Sequence, residues 1–191
     1  KLKDHPVTIR TFDIGADKKI DYLDIEKESN PFLGVRGIRL YKQLDELFTI
    51  QIKALLQANQ WGNLKIMIPM ISTLEELLWV KEKINSIKDG LVNHGTKIAP
   101  FRFGIMIEVP SAVFIAEELA KHVDFFSIGS NDLSAYLLSY DRENHHLQYL
   151  MSDYHPAIFR AIASTIIAAK NQKIEVSLCG ELGKRPDLLP L

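Results

Sequence analysis

Residues 103–108 read FGIMIE and residues 125–132 read FFSIGSND, and these two stretches decide the fold class of the chain. Each begins with a short apolar run typical of a buried strand, reaches a carboxylate at its end and is followed by a helix-like pattern. In parallel α/β sheets the carboxyl ends of the strands share one edge, where active sites gather. We therefore expect Glu108 and Asp132 to lie at the same edge of a sheet.

Further apolar runs extend this pattern along the chain. They predict strands at residues 6–12, 64–70, 101–108, 125–129 and 174–179, and helices at residues 35–60, 73–90, 110–121 and 156–171. No run alternates cleanly between polar and apolar residues, which favours strands covered on both faces in a parallel α/β sheet. A TIM (β/α)8 barrel typically needs about 250 residues, so five strands are compatible with an incomplete barrel or with an open sheet.

The composition narrows the class of protein. The 191 residues are 47% hydrophobic and fit a single domain, expected to be part of a longer protein because the chain starts at Lys1. A formal net charge of -1 gives no sequence-wide field for nucleic acid or an anionic membrane. No apolar run approaches the roughly 20 residues that span a bilayer. The single cysteine, Cys179, excludes an intrachain disulfide and favours the cytoplasm.

Glu108 and Asp132 are candidate metal ligands. Two carboxylates at neighbouring strand ends suit Mg²⁺, which takes few protein ligands and keeps positions open for substrate. Each could instead be a solvated or helix-capping carboxylate, since acidic residues are common at strand-to-helix turns. Because both carboxylates directly follow apolar strands, we favour metal binding.

Arginines form a second candidate set. Arg10 interrupts an apolar strand and needs an anionic partner if it is buried. Arg36 follows a turn, and Arg142 lies ten positions past Asp132. Planar guanidinium groups match a phosphate or carboxylate substrate, although each could also form a surface ion pair. Lys65 is expected to be solvated.

Cys179 ends the last predicted strand and precedes a glycine. A lone cysteine is usually a small buried apolar residue. At a strand end it could instead give or take a proton. The charged stretch 15–31 is long for a connection, which is typical of functional or mobile loops. The six histidines show no spacing of metal ligands.

Six collinear blocks resemble the phosphoenolpyruvate-utilising enzymes, and most closely the enzyme I group of the bacterial phosphotransferase system. They are RTFDIG (10–15), NPFLGVR (30–36), IMIPM (66–70), MIEVP (106–110), GSNDL (129–133) and CGEL (179–182). The GSND sequence favours the nitrogen-related paralogue of enzyme I. The resemblance implies a barrel that binds phosphoenolpyruvate with Mg²⁺. It gives Glu108 and Asp132 the metal-ligand roles.

The same resemblance assigns the remaining site residues. Arg10 and Arg36 match arginines that hold the phosphoryl group and the bridging oxygen. Asn131 and Arg142 match residues that bind the rest of the substrate. Asp132 is also expected to contact the substrate. Cys179 matches the acid that protonates enolpyruvate to give pyruvate.

The chain departs from the family pattern in what it lacks. An earlier strand with a Gly-Leu-Tyr-Arg-Thr-Glu pattern, the phosphohistidine domain and the carrier-binding domain have no counterpart in residues 1–191. The resemblance therefore implies a barrel fragment, inactive alone, whose full-length enzyme dimerises and passes phosphate to a histidine phosphocarrier protein. A pyruvate phosphate dikinase or phosphoenolpyruvate synthase barrel, or a non-catalytic phosphoenolpyruvate sensor, are the alternatives.

Overall fold

The computed structural model describes residues 4–16, 23, 25–142, 144–150, 154–185 and 187. The chain divides into two compact units. The first comprises Lys1–Met70 with Glu75–Phe103, and the second comprises Ile71–Leu74 with Gly104–Leu191.

The described residues of the first unit form two parallel strands and three helices. These are β1 (Val7–Arg10), α1 (Ile38–Tyr41), α2 (Asp45–Ala58), β2 (Leu64–Ile68) and α3 (Leu74–Asn93), the last lying in this unit from Glu75 onward. β1 pairs with β2 with Val7 opposite Leu64. Phe48, Ile52 and Leu56 recur every four residues and form the buried face of α2.

The predicted single helix over residues 35–60 is wrong, because the chain turns between α1 and α2. Tyr41 and Phe48 stack with ring centroids 4.3 Å apart and an interplanar angle of 15°. On one continuous helix, positions seven residues apart would be separated by roughly 10 Å along the axis. The break allows both aromatic rings to be fully buried in one cluster.

In the second unit, the part of the chain that the structure describes forms three parallel strands, four α-helices and two short 3₁₀ helices. In chain order they are β3 (Arg102–Ile107, in this unit from Gly104), α4 (Pro110–Phe114), α5 (Ala116–Ala120), β4 (Phe125–Gly129), α6 (Ser130–Leu137), a 3₁₀ helix His145–Leu150, α7 (Pro156–Asn171), β5 (Glu175–Cys179) and a 3₁₀ helix Leu182–Lys184. β4 pairs with β3 on one side and with β5 on the other. The predicted helix at 110–121 is interrupted at Ile115, whose φ of -109° and ψ of 21° are not helical.

The five predicted strands are all present, and the prediction of an α/β fold with parallel strands, consistent with an incomplete (β/α)8 barrel, is confirmed. Burial on both faces is confirmed for β2, β3 and β4. It is wrong for β1, which alternates in exposure, and for β5, which is largely exposed. Among the described residues each of these strands pairs on one side only, which leaves its side chains less covered. Lys65 is buried rather than solvated.

Candidate functional site

In the first unit, Asp13 brings the two predicted phosphate-binding arginines together. The Asp13 carboxylate is buried and accepts two hydrogen bonds from Arg36, Nε to Oδ1 at 3.3 Å and Nη2 to Oδ2 at 3.0 Å. Arg10 donates from Nη1 to the same Oδ2 at 3.3 Å. The side chain of Arg36 is 6% exposed and that of Arg10 is 39% exposed. Two guanidinium groups on one carboxylate carry a combined formal charge of +1, which suits an anionic ligand.

The backbone around Arg36 has little freedom to move. Gly37 has a φ of 52°, in the left-handed region that favours glycine. A Cβ added at Gly37 would lie 2.9 Å from the Met70 side chain and 3.2 Å from Asp13 Oδ1. The Phe32 ring also lies under the Arg36 guanidinium, 5.3 Å from centroid to Cζ. Glycine at this position therefore lets Arg36 reach Asp13.

The loop before Arg36 is anchored by two charged side chains. The Glu28 carboxylate accepts from the Val35 amide at 3.0 Å, and Arg39 donates from Nη1 to the Leu33 and Gly34 carbonyls, each at 3.1 Å. These contacts lie in or beside the charged stretch 15–31, which the sequence marked as functional or mobile. Residues 17–22 and 24 of that stretch lie outside the described residues. The described end of the stretch is fixed to the Arg36 loop.

In the second unit, the carboxylate of Glu108 lies beside the end of β4. Glu108 follows β3 directly and is only 1% exposed. A Cβ added at Gly129 would lie 2.9 Å from Glu108 Oε2 and 2.9 Å from Met106 Sδ. The glycine at the end of β4 thus leaves the space that this buried carboxylate occupies.

Asn131 and Asp132 lie in the first turn of α6, directly after β4. The side chain of Asp132 is 13% exposed, and its Oδ1 accepts a hydrogen bond from Arg142 Nη1. Asp132 and Arg142, which are ten positions apart in the sequence, therefore form an ion pair. The structure brings a predicted metal ligand into contact with a predicted substrate ligand.

Cys179 lies at the end of β5, and its turn packs on the first turn of α6. The thiol is partly buried, with Sγ 3.2 Å from the Ile128 carbonyl oxygen. Ser130 Oγ donates to the Cys179 carbonyl at 2.8 Å, and the Glu181 amide donates to Asn131 Oδ1 at 2.9 Å. These two hydrogen bonds hold Cys179 close to Asn131, which lies 48 positions earlier in the sequence.

The sequence interpretation missed Asp13 and Ser130 as members of these arrangements. Both stood inside the quoted blocks RTFDIG and GSNDL, beside residues that were singled out. No local pattern shows the contact of Asp13 with Arg36, 23 positions away, or that of Ser130 with Cys179, 49 positions away. The contact of Asp13 with Arg10 spans only three positions. The signals available in the sequence were their place inside conspicuous blocks and, for Asp13, its spacing of three residues from Arg10.

Two negative findings apply to the described part of the chain. Within it, no cluster of three or more histidine, cysteine, aspartate or glutamate side chains is arranged to hold a metal ion. The helices described there include none that is both long and apolar enough to cross a membrane.

Known proteins resemble this chain over nearly its whole length. Multiphosphoryl transfer protein 2 of Escherichia coli (strain K12) is 47% identical over 97% of this chain and 22% of its own length. The phosphoenolpyruvate-protein phosphotransferases of Geobacillus stearothermophilus and Bacillus subtilis (strain 168) are 44% and 43% identical over 100% of this chain, which covers 33% and 34% of theirs. The chain thus spans about a fifth to a third of the length of these relatives.

A more distant likeness was found among solved structures. Citrate synthase SbnG superposes with a TM-score of 0.49 at 9% identity, covering 97% of this chain and 71% of that one, and no argument rests on it. The model of the family described as "PEP-utilising enzyme, PEP-binding domain" matches residues 1–191. The family match and the identities above 40% agree, and the chain belongs to the phosphoenolpyruvate-utilising enzymes, of which it represents the phosphoenolpyruvate-binding domain.

Proposed function

We propose that residues 1–191 act as the phosphoenolpyruvate-binding domain of a phosphoenolpyruvate–protein phosphotransferase. The full-length enzyme would transfer the phosphoryl group to one of its own histidines, then to a histidine phosphocarrier protein, and release pyruvate. The relatives that carry this name support the proposal. The structural observation that carries it is the pair of arginines gathered on Asp13.

Arg10 and Arg36 are the proposed ligands of the phosphoryl group and the bridging oxygen. Negative charge develops on that oxygen as the P–O bond breaks, and fixed cationic donors stabilise it. Arg36 is already oriented by its bidentate contact with Asp13, so little side-chain freedom is lost when substrate binds. Arg10, being more exposed, can turn its remaining N–H groups toward the substrate.

Glu108 and Asp132 are the proposed ligands of Mg²⁺. Two carboxylates fit this ion, which commonly binds one or two protein carboxylates together with substrate oxygens and water. Arg142 engages Oδ1 of Asp132 and leaves Oδ2 without a hydrogen bond from the described residues. When bound, the ion would neutralise negative charge on the substrate.

Asn131 and Arg142 are proposed to bind the rest of the substrate. Because Asn131 Oδ1 accepts from the Glu181 amide, its Nδ2 is the end of the amide left to donate. An amide donor and a guanidinium both suit the carboxylate of phosphoenolpyruvate. Asp132 contributes to substrate binding through its contact with Arg142.

Cys179 is the proposed proton donor. As the P–O bond breaks and the histidine nitrogen takes the phosphoryl group, the enolate of pyruvate remains. Its methylene carbon takes the proton of Cys179 Sγ, which forms a C–H bond and leaves a thiolate to be reprotonated by solvent. The thiol is partly buried and its Sγ lies near the Ile128 carbonyl, which favours a defined position for the donor.

The remaining assignments concern the parent protein. We propose that it is a cytoplasmic homodimer and that the accepting histidine and the carrier-binding domain lie outside residues 1–191. The greater length of the relatives supports this division of labour. Neither a nucleic acid nor a membrane is a proposed partner.

Isotope exchange between labelled pyruvate and phosphoenolpyruvate in the full-length protein tests the proposal. Exchange should require Mg²⁺ and stop on addition of EDTA. Cys179→Ala should abolish exchange, because the enolate could not be protonated at its methylene carbon and pyruvate could not be deprotonated at its methyl carbon. Ser177→Ala, two positions earlier on the same strand, should retain it. Full exchange in the Cys179 variant would remove the proton-donor assignment, and absence of exchange in the parent protein would favour a sensor.

A further inference from the structure

We propose that Ser130 is a positioning residue for Cys179, acting through the backbone of the turn that carries the thiol. This inference rests on the proposed function for its catalytic meaning. The Ser130 hydroxyl donates to the Cys179 carbonyl at 2.8 Å, a typical length for an O–H···O hydrogen bond. Its contact with Asn131 Oδ1, at 3.5 Å, is much weaker.

The anchor provided by Ser130 is itself fixed. Ser130 is the first residue of α6, is 1% exposed and follows the buried strand β4 without a linker. A buried side chain in this position has few alternative rotamers. The turn after β5 is therefore tied to one of the better packed parts of the second unit.

Two contacts together fix the thiol of Cys179. The carbonyl of the residue is held by Ser130, and its Sγ lies 3.2 Å from the Ile128 carbonyl oxygen. β5 is largely exposed and pairs, among the described residues, only with β4. A strand with so little covering needs such an anchor if its last side chain is to keep one position.

Gly180 shows how closely the turn packs against Ser130. Its φ is 90°, and an added Cβ would lie 2.4 Å from Ser130 Oγ and 2.8 Å from Asn131 Oδ1. Only glycine combines this conformation with such close approach. The turn at Gly180 thus packs directly against the Ser130 hydroxyl.

The test compares two serine-to-alanine variants of the full-length protein. Ser130→Ala removes the proposed anchor. Ser177→Ala removes a hydroxyl that also donates across β4 and β5, to the Phe126 carbonyl at 3.4 Å, and serves as the matched control. Ser130→Thr keeps the hydroxyl and tests rescue.

The first readout is the alkylation rate of Cys179 by iodoacetamide without substrate, followed by mass spectrometry of the tryptic peptide 174–184. One hydrogen bond is worth about 1 kcal/mol, or about fivefold, so Ser130→Ala should raise the rate by about fivefold. Ser177→Ala and Ser130→Thr should stay near the parent rate. The second readout is exchange, where Ser130→Ala should lower kcat by about tenfold and change KM for phosphoenolpyruvate less than twofold.

An alkylation rate unchanged by Ser130→Ala, or raised equally by Ser177→Ala, would overturn the proposal. If Ser130→Ala does not fold, Gly180→Ala pushes the same turn away with the hydroxyl in place, and an unchanged rate there would overturn it equally. Alkylation needs no turnover, so a parent protein without exchange would defeat the proposed function while leaving the anchoring of Cys179 decided by this measurement.

Discussion

At the scale of single residues, Asp13 has the largest consequences in the first unit. It is the shared acceptor of Arg36, which is buried, and of Arg10, which is exposed. Removing one partner of a buried ion pair costs far more than the intact pair contributes. Asp13 therefore contributes to the stability of the unit and to the orientation of both arginines.

Asp13→Asn should lower the free energy of unfolding by about 3 kcal/mol, since breaking a buried ion pair from one side costs that much. Asp45→Asn is the matched control, because Asp45 pairs with Lys83 at 2.7 Å on the surface of the same unit. An exposed pair of this kind contributes less than about 1 kcal/mol. Urea unfolding followed by circular dichroism measures both, and equal losses would show that Arg36 does not depend on Asp13.

At the scale of elements, the junction between β4 and α6 concentrates the candidate chemistry of the second unit. Gly129 ends the strand beside the Glu108 carboxylate, and the next three residues contact Cys179, Glu181 and Arg142 in turn. A strand that runs into a helix without a loop gives these side chains a rigid base. Small backbone shifts at the junction should therefore affect the proposed metal site.

Gly129→Ala should raise the Mg²⁺ concentration that gives half-maximal exchange by about tenfold. The added Cβ would meet Glu108 Oε2 and Met106 Sδ at 2.9 Å, so the carboxylate must move. Gly90→Ala on α3 is the matched control, as its Cβ would meet nothing within 4 Å. It should leave the Mg²⁺ requirement unchanged and stabilise the helix by up to about 1 kcal/mol. A Gly129 variant with the parent's Mg²⁺ requirement would argue against Glu108 as a metal ligand.

At the scale of the whole molecule, the alternation of strands and helices could be predicted because it depends on local apolar patterns. The five runs needed only their own hydrophobicity and flanking residues to be recognised. The exposure of β1 and β5 could not be predicted, since burial of a strand depends on what pairs and packs beside it. The turn between Tyr41 and Phe48 was hidden for a related reason, because the apolar period continues through it.

The candidate site also has a part that could be predicted from the sequence and a part that could not. Chemically distinctive residues at strand ends, such as Glu108 and Cys179, could be selected from the sequence alone. The contacts of Asp13 with Arg36 and of Ser130 with Cys179 join residues far apart in the chain and depend on the finished fold. The family resemblance supplied roles for residues but no hydrogen-bond partners, and it is the partners that distinguish a binding residue from one that positions another.

Ligand-linked stability of the full-length protein tests the proposed binding set as a whole. Anything that binds only the folded state stabilises it, by about 2.7 kcal/mol at a ligand concentration of one hundred times Kd. Phosphoenolpyruvate with Mg²⁺ should therefore raise Tm, and Arg36→Lys should reduce the shift at a fixed ligand concentration because lysine cannot donate in bidentate fashion. Pyruvate lacks the phosphoryl group assigned to Arg10 and Arg36 and should give a much smaller shift at equal concentration. Equal shifts from pyruvate and phosphoenolpyruvate, both retained in the Arg36 variant, would show that these arginines hold no phosphoryl group.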